Sequence, residues 1–482
     1  MSQPNVTITE LDGALAVLPP SAGKVYALAG HSTAGPLNTP ATFARVKDVI
    51  ATYGAGPLVE KACHYIERYG RPVVLIRTAA STAGLPGTLV ISGVVGTSVV
   101  TVTGVPNDDY EAALKVLTGG TIGVAGITYQ WSLDGGRTWS PATALGTANT
   151  FAFPGAGGLG LAFAAGTLVA GDKVSTRTTA PSPTAAELGT ALDALAVSIV
   201  DWEIVTPAGP IDGDMFDTLE LKLAALAAAG KYRAWIANTR MPNVGETEAQ
   251  YKTALDAIFS AKATLYGDLC AGACKLTSSV TGRKYKRPIS FAVGAREASL
   301  SEEVDSADPN LGFLVGVSIR DANGNPDEHD ESVNPGLDDS RFTVLRTIEG
   351  LQGVYINRPR IFSPAGSDFQ LLPHRRVMNL AHAALRVFFM RRLSKVVLVD
   401  ATTGFILEEE ALEIESGALA VMRATLRTKP KASGVLFALS RTDNLLSTKT
   451  MTGDARIIPL AYPEFINLTV GFFNPALQVQ AV

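Results

Sequence analysis

The stretch VYALAGHSTAGPLNTPATFARVKDVIATYGAGPLVEKACHYIERYGRPVVLIRTA, Val25 to Ala79, decides how the chain folds. Val25 to Gly30 is an unbroken apolar run of strand length, and a turn-rich stretch then carries the chain to Pro40. Apolar residues next recur at helical spacing, which predicts one helix over roughly Thr42 to Tyr53 and a second over Pro57 to Tyr69. Gly70 leads into Pro72 to Arg77, again strand-like. A strand, two helices and a strand in that order predict an α/β layer with helices laid on a sheet.

Outward from this stretch the composition changes twice. Between Leu85 and Pro183 charge is sparse, Gly, Thr, Val and Ala dominate, and alternating runs such as Ser98 to Thr103 are broken by glycine turns, which predicts an inserted all-β domain. Pro181-Ser182-Pro183 closes it. Helical spacing then returns at Thr184 to Leu195, Asp214 to Ala229 and Glu246 to Ala261, alternating with strand-like Trp202 to Thr206 and Tyr232 to Asn238. That alternation predicts an α/β domain with a partly parallel sheet.

The last third predicts two long amphipathic helices. Val377, Leu380, Ala381, Ala384, Leu385, Phe388 and Phe389 line one face of the first. In the second, Glu408 to Glu410 begin the helix and Arg423, Arg427 and Lys429 stand near its end, each favourable toward the helix dipole, before Pro430 stops it. Strands are expected at Val435 to Ser440, Ala455 to Leu460 and Phe465 to Phe472. The fold class is therefore multidomain α/β (α+β). Expected segments are an arm over 1–23, core over 24–84, the β insert over 85–183, α/β core over 184–366, a C-terminal domain over 367–464, and a strand and arm over 465–482.

A chain of 482 residues is too long for a single core. Its net charge of -4, from 41 basic and 45 acidic residues, gives no cationic footprint for a phosphate backbone, so no direct nucleic-acid partner is expected. Apolar runs such as Leu159 to Ala170 are shorter than the roughly 18 residues a bilayer span takes, so no membrane partner is expected. Met1 to Glu10 shows no basic and apolar leader, which predicts synthesis in a cytoplasm. Cys63, Cys270 and Cys274 are odd in number; they are either buried reduced thiols or the source of a disulfide between subunits. His31, His64, His329, His374 and His382 lie at no zinc-site spacing, so no metal is expected.

Three motifs touch on chemistry. Gly155, Gly157 and Gly160 satisfy GxGxxG, but Leu161 to Val169 offers no amphipathic helix to receive a pyrophosphate, so no cofactor is expected. Ser132, Asp134, Gly136, Thr138 and Trp139 in SLDGGRTW resemble the Asp-box of sialidases and related β-propellers, in which the aspartate braces a hairpin; it occurs once, without blade repeats. Asp321, Asn323 and Asn325 begin like a calcium loop, yet Pro326 replaces its glycine and Ser332 its closing glutamate. With no G-x-S-x-G or H-E-x-x-H element, no catalytic residue is named and no enzyme is expected.

Read together, Gly35-Pro36, Asn38 and Pro40, the element ending at Tyr53-Gly54, the helix begun by Pro57-Leu58 and the strand closing on Arg77 resemble the opening of the contractile phage-type tail sheath family. Arg375-Arg376-Val377 at the head of a long helix and INLTVGFFNP, Ile466 to Pro475, resemble its C-terminal domain and last strand. Ser363 to His374 reads SPAGSDFQLLPH where many members carry W-G-A-R-T-L, the mark of a divergent branch. The resemblance implies a sheath-type α/β core with outward insertions and extended terminal arms. It implies a homo-oligomer of stacked rings or a helical sheath in a virion tail, assembled in the host cytoplasm around a tail tube protein, with baseplate and tail terminator proteins as partners. Val6 and Ile8, and Ile466, Leu468 and Val470, alternate with polar neighbours, so both ends are expected to act as strands donated between subunits. The rival readings are a carbohydrate-binding or glycan-hydrolysing protein, from the Asp-box, and a nucleotide-dependent α/β enzyme, from GxGxxG.

Overall fold

The computed structural model describes residues 25–93, 96–321, 324–427 and 430–472. The opening stretch forms β1 (Tyr26–Gly30), β2 (Ala41–Phe43), α1 (Val46–Tyr53), α2 (Pro57–Tyr69) and β3 (Val73–Arg77). The helix expected from Thr42 starts four residues later, because Ala41, Thr42 and Phe43 pair antiparallel with Leu75, Val74 and Val73 as an edge strand. β-branched and aromatic side chains after Pro40 favour that pleated edge over a first helical turn. α2 ends where expected, with Gly70 in the left-handed region at φ 65°.

From Leu85 to Thr179 every regular element among the described residues is a strand. These are β4 (Leu85–Pro86), β5 (Val90–Ser92), β6 (Val100–Thr103), β7 (Glu111–Thr118), β8 (Gly120–Thr121), β9 (Thr128–Ser132) and β10 (Thr143–Ala144). β11 (Thr150–Ala152), β12 (Gly160–Phe163), β13 (Thr167–Leu168) and β14 (Lys173–Thr179) complete the set. One sheet runs β10-β9-β7-β14, with β4 and β5 both on the far side of β14, and a second runs β11-β12-β6. Thr82 and Ser182 pair, so the chain enters and leaves this all-strand stretch at one place.

The core resumes with α3 (Ala185–Val197), β15 (Ile204–Pro207), α4 (Gly213–Ala228), β16 (Ala234–Asn238), α5 (Glu248–Phe259) and β17 (Gly267–Cys270). The main sheet has the order β17-β16-β15-β1-β3-β2, parallel except for β2. Its parallel strands are mostly apolar because both faces are covered, as parallel sheets require, with Thr206, Asn238 and Asp268 as buried polar exceptions. Tyr26 and Leu28 point into one cluster with Val49, Leu58 and Phe291, while Ala27 and Ala29 point into the other with Leu192, Phe216 and Leu255. That split is the two-residue period of a strand made visible. Beside this sheet lie β18 (Ala273–Thr277), β19 (Lys284–Pro288), α6 (Ser290–Ser299) and β20 (Val317–Ser318), followed by the small pair β21 (Leu345–Arg346) and β22 (Tyr355–Ile356).

The chain divides into two compact units, residues 1–394 and 395–482. The helix α7 (Leu372–Met390) belongs to the first. The second holds α8 (Glu408–Leu426), β23 (Gly434–Leu439), the short α9 (Leu445–Thr448) and β24 (Gly453–Ile458). The strand expected over Phe465 to Phe472 is not formed: these residues take no regular structure. No helix among the described residues is long and apolar enough to cross a membrane.

Candidate functional site

The second unit is built around an incomplete sheet. β23 and β24 pair antiparallel from Gly434↔Ile458 to Leu439↔Gly453, and among the described residues no further strand joins either edge. α8 covers one face, burying Ala411, Ile414, Ala418, Met422 and Leu426 at helical spacing. Arg441 fixes the helix to the hairpin, its guanidinium reaching Glu408 at 2.7 Å and Glu415 at 2.6 Å. Those hydrogen bonds from Arg441 hold the Glu408 and Glu415 carboxyls below their ordinary range. A two-stranded sheet is marginal alone, and an open ladder edge is a template for another strand.

The same unit carries a chain segment with the pattern of such a strand. Ile466, Leu468 and Val470 are 73%, 80% and 92% exposed, and Phe465 and Phe472 beside them are also exposed. Apolar residues alternating with Asn467 and Thr469 thus stand in water, with no ladder partner among the described residues. Val6 and Ile8 lie outside the described residues.

In the first unit the polar groups buried in the interior are structural. Arg376 of α7 reaches Glu203 at 3.0 Å and Glu297 of α6 at 3.1 Å, all three side chains buried, and so ties α7 to the main sheet. Burial pushes the Glu297 carboxyl up to about 7, the Arg376 charge opposing it. Arg287 of β19 makes a paired contact with Asp108 at 2.7 and 2.8 Å, locking the insert onto the core. Asp109 alongside is raised to about 6 by burial and by Asp108, with Arg287 pulling it down.

Doubly wound sheets bind ligands outside the carboxyl ends of their strands where the order reverses, here between β1 and β15. That crevice is filled. Ala208, just past β15, donates its N–H to Ala29, and a Cβ added at Gly30 would stand 2.5 Å from the Ala208 Cβ. The Lys61 amine, fully buried, closes the remainder by donating to the Pro207 carbonyl at 2.7 Å and the Ser290 hydroxyl at 3.1 Å. Burial pushes it down to about 7.

The motifs singled out in the sequence fall in separate places. Asp134 accepts from the Thr138 N–H at 2.9 Å and its hydroxyl at 2.7 Å, while the Ser132 hydroxyl donates to it at 2.6 Å. The box is a braced hairpin turn with Trp139 packed on Gly136. Gly155 and Gly157 lie in a turn and Gly160 opens β12, a strand and not a helix. Gly157 is needed there because a Cβ would press on the Asn107 backbone at 2.7 Å. Asp321 accepts from the Asn325 N–H at 2.8 Å, and among the described residues no group of three His, Cys, Asp or Glu side chains is arranged for a metal ion. Cys63, Cys270 and Cys274 are all buried free thiols; burial raises each, Cys63 to about 12. A sulfur held inside a folded subunit does not reach a second one, so burial favours the reduced-thiol reading.

What sequence reasoning missed is the set of buried charges: Lys61, Asp108, Glu203, Arg287 and Glu297 carry no local signal that separates them from surface charges, and the motif holding Arg376 does not reveal its partners. For the charge-bearing loop after Pro326 the same holds. His329 sits between Glu248 and Glu331, each at 2.9 Å. Burial alone would lower it, but the two carboxylates hold it at about 9.

Comparison with known proteins adds three findings. The family model described as DUF2586, N-terminal domain, matches residues 3–360. No curated protein sequence matches the chain. Among solved structures, a chain of the extracellular contractile injection system PVC sheath complex in the contracted state aligns at TM-score 0.51 and 11% identity, over 99% of this chain and 99% of that one. A chain of the six-fold-symmetrised anti-feeding prophage baseplate aligns at TM-score 0.51 and 10% identity, over 98% and 100%. The sheath tail protein of Listeria innocua aligns at TM-score 0.45 and 11% identity, over 92% and 97%. The fold is therefore that of contractile sheath proteins, an α/β architecture shared along nearly the whole chain.

Proposed function

The chain belongs to the DUF2586 family, and we propose that it is the repeating subunit of a contractile sheath. Copies stack around a tail tube in the extended state, then shorten to drive the tube through a bacterial envelope during delivery of a genome or an effector. The work is mechanical and involves no active site. Its partners are further copies of itself, the tube protein, and baseplate and terminator proteins at the two ends. It is assembled in the host cytoplasm as part of a tail.

The observation that carries this reading is the pairing in one unit of a hairpin with open edges and an exposed apolar segment, Phe465 to Phe472. Strand donation between copies completes the sheet with main-chain hydrogen bonds. The N-terminal arm with Val6 and Ile8 acts in the same way from the other end. Such links persist while whole subunits rotate, since a donated strand stays paired as its connection bends. Heterologous contacts repeated around a screw axis give open tubes. The three cysteines stay reduced throughout.

Negative-stain electron microscopy of the purified protein tests the proposal. Tubes or stacked rings are expected, and removing Ser2 to Leu18 or introducing Leu468→Pro should leave folded subunits that no longer form them, since proline deletes a ladder donor. A dispersed wild-type monomer at high concentration, or both variants polymerising normally, would refute it.

A further inference from the structure

The insert has a charge distribution unlike the rest of the chain. Charged residues make up 18% of the sequence, yet residues 85–107 and 138–171 contain no Asp, Glu, Lys or Arg. The topology sorts these two neutral runs onto opposite sides. In the larger sheet one edge is β4 and β5, from the first run, and the other is β10, from the second. In the smaller sheet one edge is β6, from the first run, and the other is β11, from the second. The charges of the insert lie in the middle strands or in the turns: Asp108, Asp134 and Asp172 are buried, and Glu111 is paired with Arg137 at 2.5 Å.

Monomeric β proteins guard their edges with charged side chains, proline or bulges, because a bare ladder edge recruits further strands. Here Pro86 is the sole proline in an edge strand of the larger sheet, and both of its edges are exposed: Val90, Ile91 and Ser92 on one side, Thr143 and Ala144 on the other. The two edges match each other in kind, with unpaired main-chain groups, small or β-branched side chains, and no charge to desolvate or repel. Two different surfaces that fit each other join copies head to tail, and such contacts close a ring or continue along a helix.

We propose that the insert is a lateral connector: the β4/β5 edge of one copy pairs with the β10 edge of the next, with β6 and β11 meeting alongside, so that neighbouring inserts form a continuous β layer. The occupant of each edge is a second copy of this chain. This rests on the sheath reading, and it adds to the terminal arms a second set of main-chain links made by a different part of the subunit.

A charge-swap cycle on the full-length protein tests this, read as the critical concentration for polymer formation by sedimentation. Ile91→Lys and Thr143→Glu should each raise it several-fold, Ile91→Lys with Thr143→Lys should raise it further, and Ile91→Lys with Thr143→Glu should restore it. The subunit's own melting midpoint should stay unchanged, both positions being exposed; if it drops, Val90→Lys and Ala144→Glu repeat the cycle. Wild-type polymer with the same critical concentration in all variants overturns the connector and leaves the sheath reading intact. Absence of any wild-type polymer overturns both. Variants that polymerise normally but lose binding to a neutral polysaccharide would assign the edges to a glycan and overturn the proposal.

Discussion

Replacing Arg287 with methionine should be among the most damaging single changes in the first unit. Arg287 and Asp108 have side chains 3% and 2% exposed and make two parallel contacts at 2.7 and 2.8 Å. The guanidinium also donates to the Asp109 carbonyl at 3.2 Å and stacks 4.9 Å from the Tyr285 ring. Arg287→Met keeps most of the volume but strands the Asp108 carboxylate in the junction between insert and core. Removing one partner of a buried pair costs about 3–5 kcal/mol, far more than the pair contributes over an apolar replacement, because the remaining charge has neither water nor a counter-ion. At about 1 °C per kcal/mol for a unit of this size, a fall of roughly 4–6 °C in melting midpoint is expected. The informative control is the double variant Arg287→Met with Asp108→Asn, which removes both charges and should recover more than half of the loss. Scanning calorimetry of the four proteins of the cycle gives the coupling directly. A loss below about 1 kcal/mol in the single variant would refute the reasoning, since it would mean that water reaches Asp108. A double variant as unstable as the single would place the damage in lost packing instead.

Three further outcomes are expected. His329, held at about 9 by Glu248 and Glu331 against the effect of burial, contributes stability that is full below its ordinary value of 6.5 and is lost as pH rises through 9; His329→Gln should flatten the stability profile between those values. Excising the insert by joining Thr82 to Thr184 should be geometrically easy, because Thr82 and Ser182 already pair, but Tyr285 is buried in the insert's apolar cluster and Arg287 would lose Asp108. The plain excision should therefore melt earlier than the excision carrying Tyr285→Ser and Arg287→Met, and equal midpoints would show that the junction is not cohesive. Cys63, Cys270 and Cys274 should react with a thiol reagent only after denaturation, and non-reducing electrophoresis of assembled particles should show monomer; a dimer ladder would return the inter-subunit disulfide.

The local pattern of the sequence alone determined four of the six strands of the main sheet, β1, β3, β15 and β16, but neither β2 nor β17. Tyr26–Gly30 and Val73–Arg77 read as strands because a buried parallel strand is apolar on both faces, and Pro57 and Gly70 bracket α2 because each suits its end of a helix. Sparse charge and glycine turns likewise set apart residues 85–183, and from Leu85 to Thr179 every regular element among the described residues is a strand. Tertiary structure decided what depends on a distant partner. Ala41–Phe43 became an edge strand because β3 offered a ladder, and a window of sequence cannot see β3. Arg287 and Asp108 lie 179 positions apart, and Arg376 and Glu203 lie 173 apart, so nothing near any of these residues reveals its partner. Phe465 to Phe472 has the alternation of a strand but forms none, because a strand exists only against a neighbour and none of the described residues pairs with it.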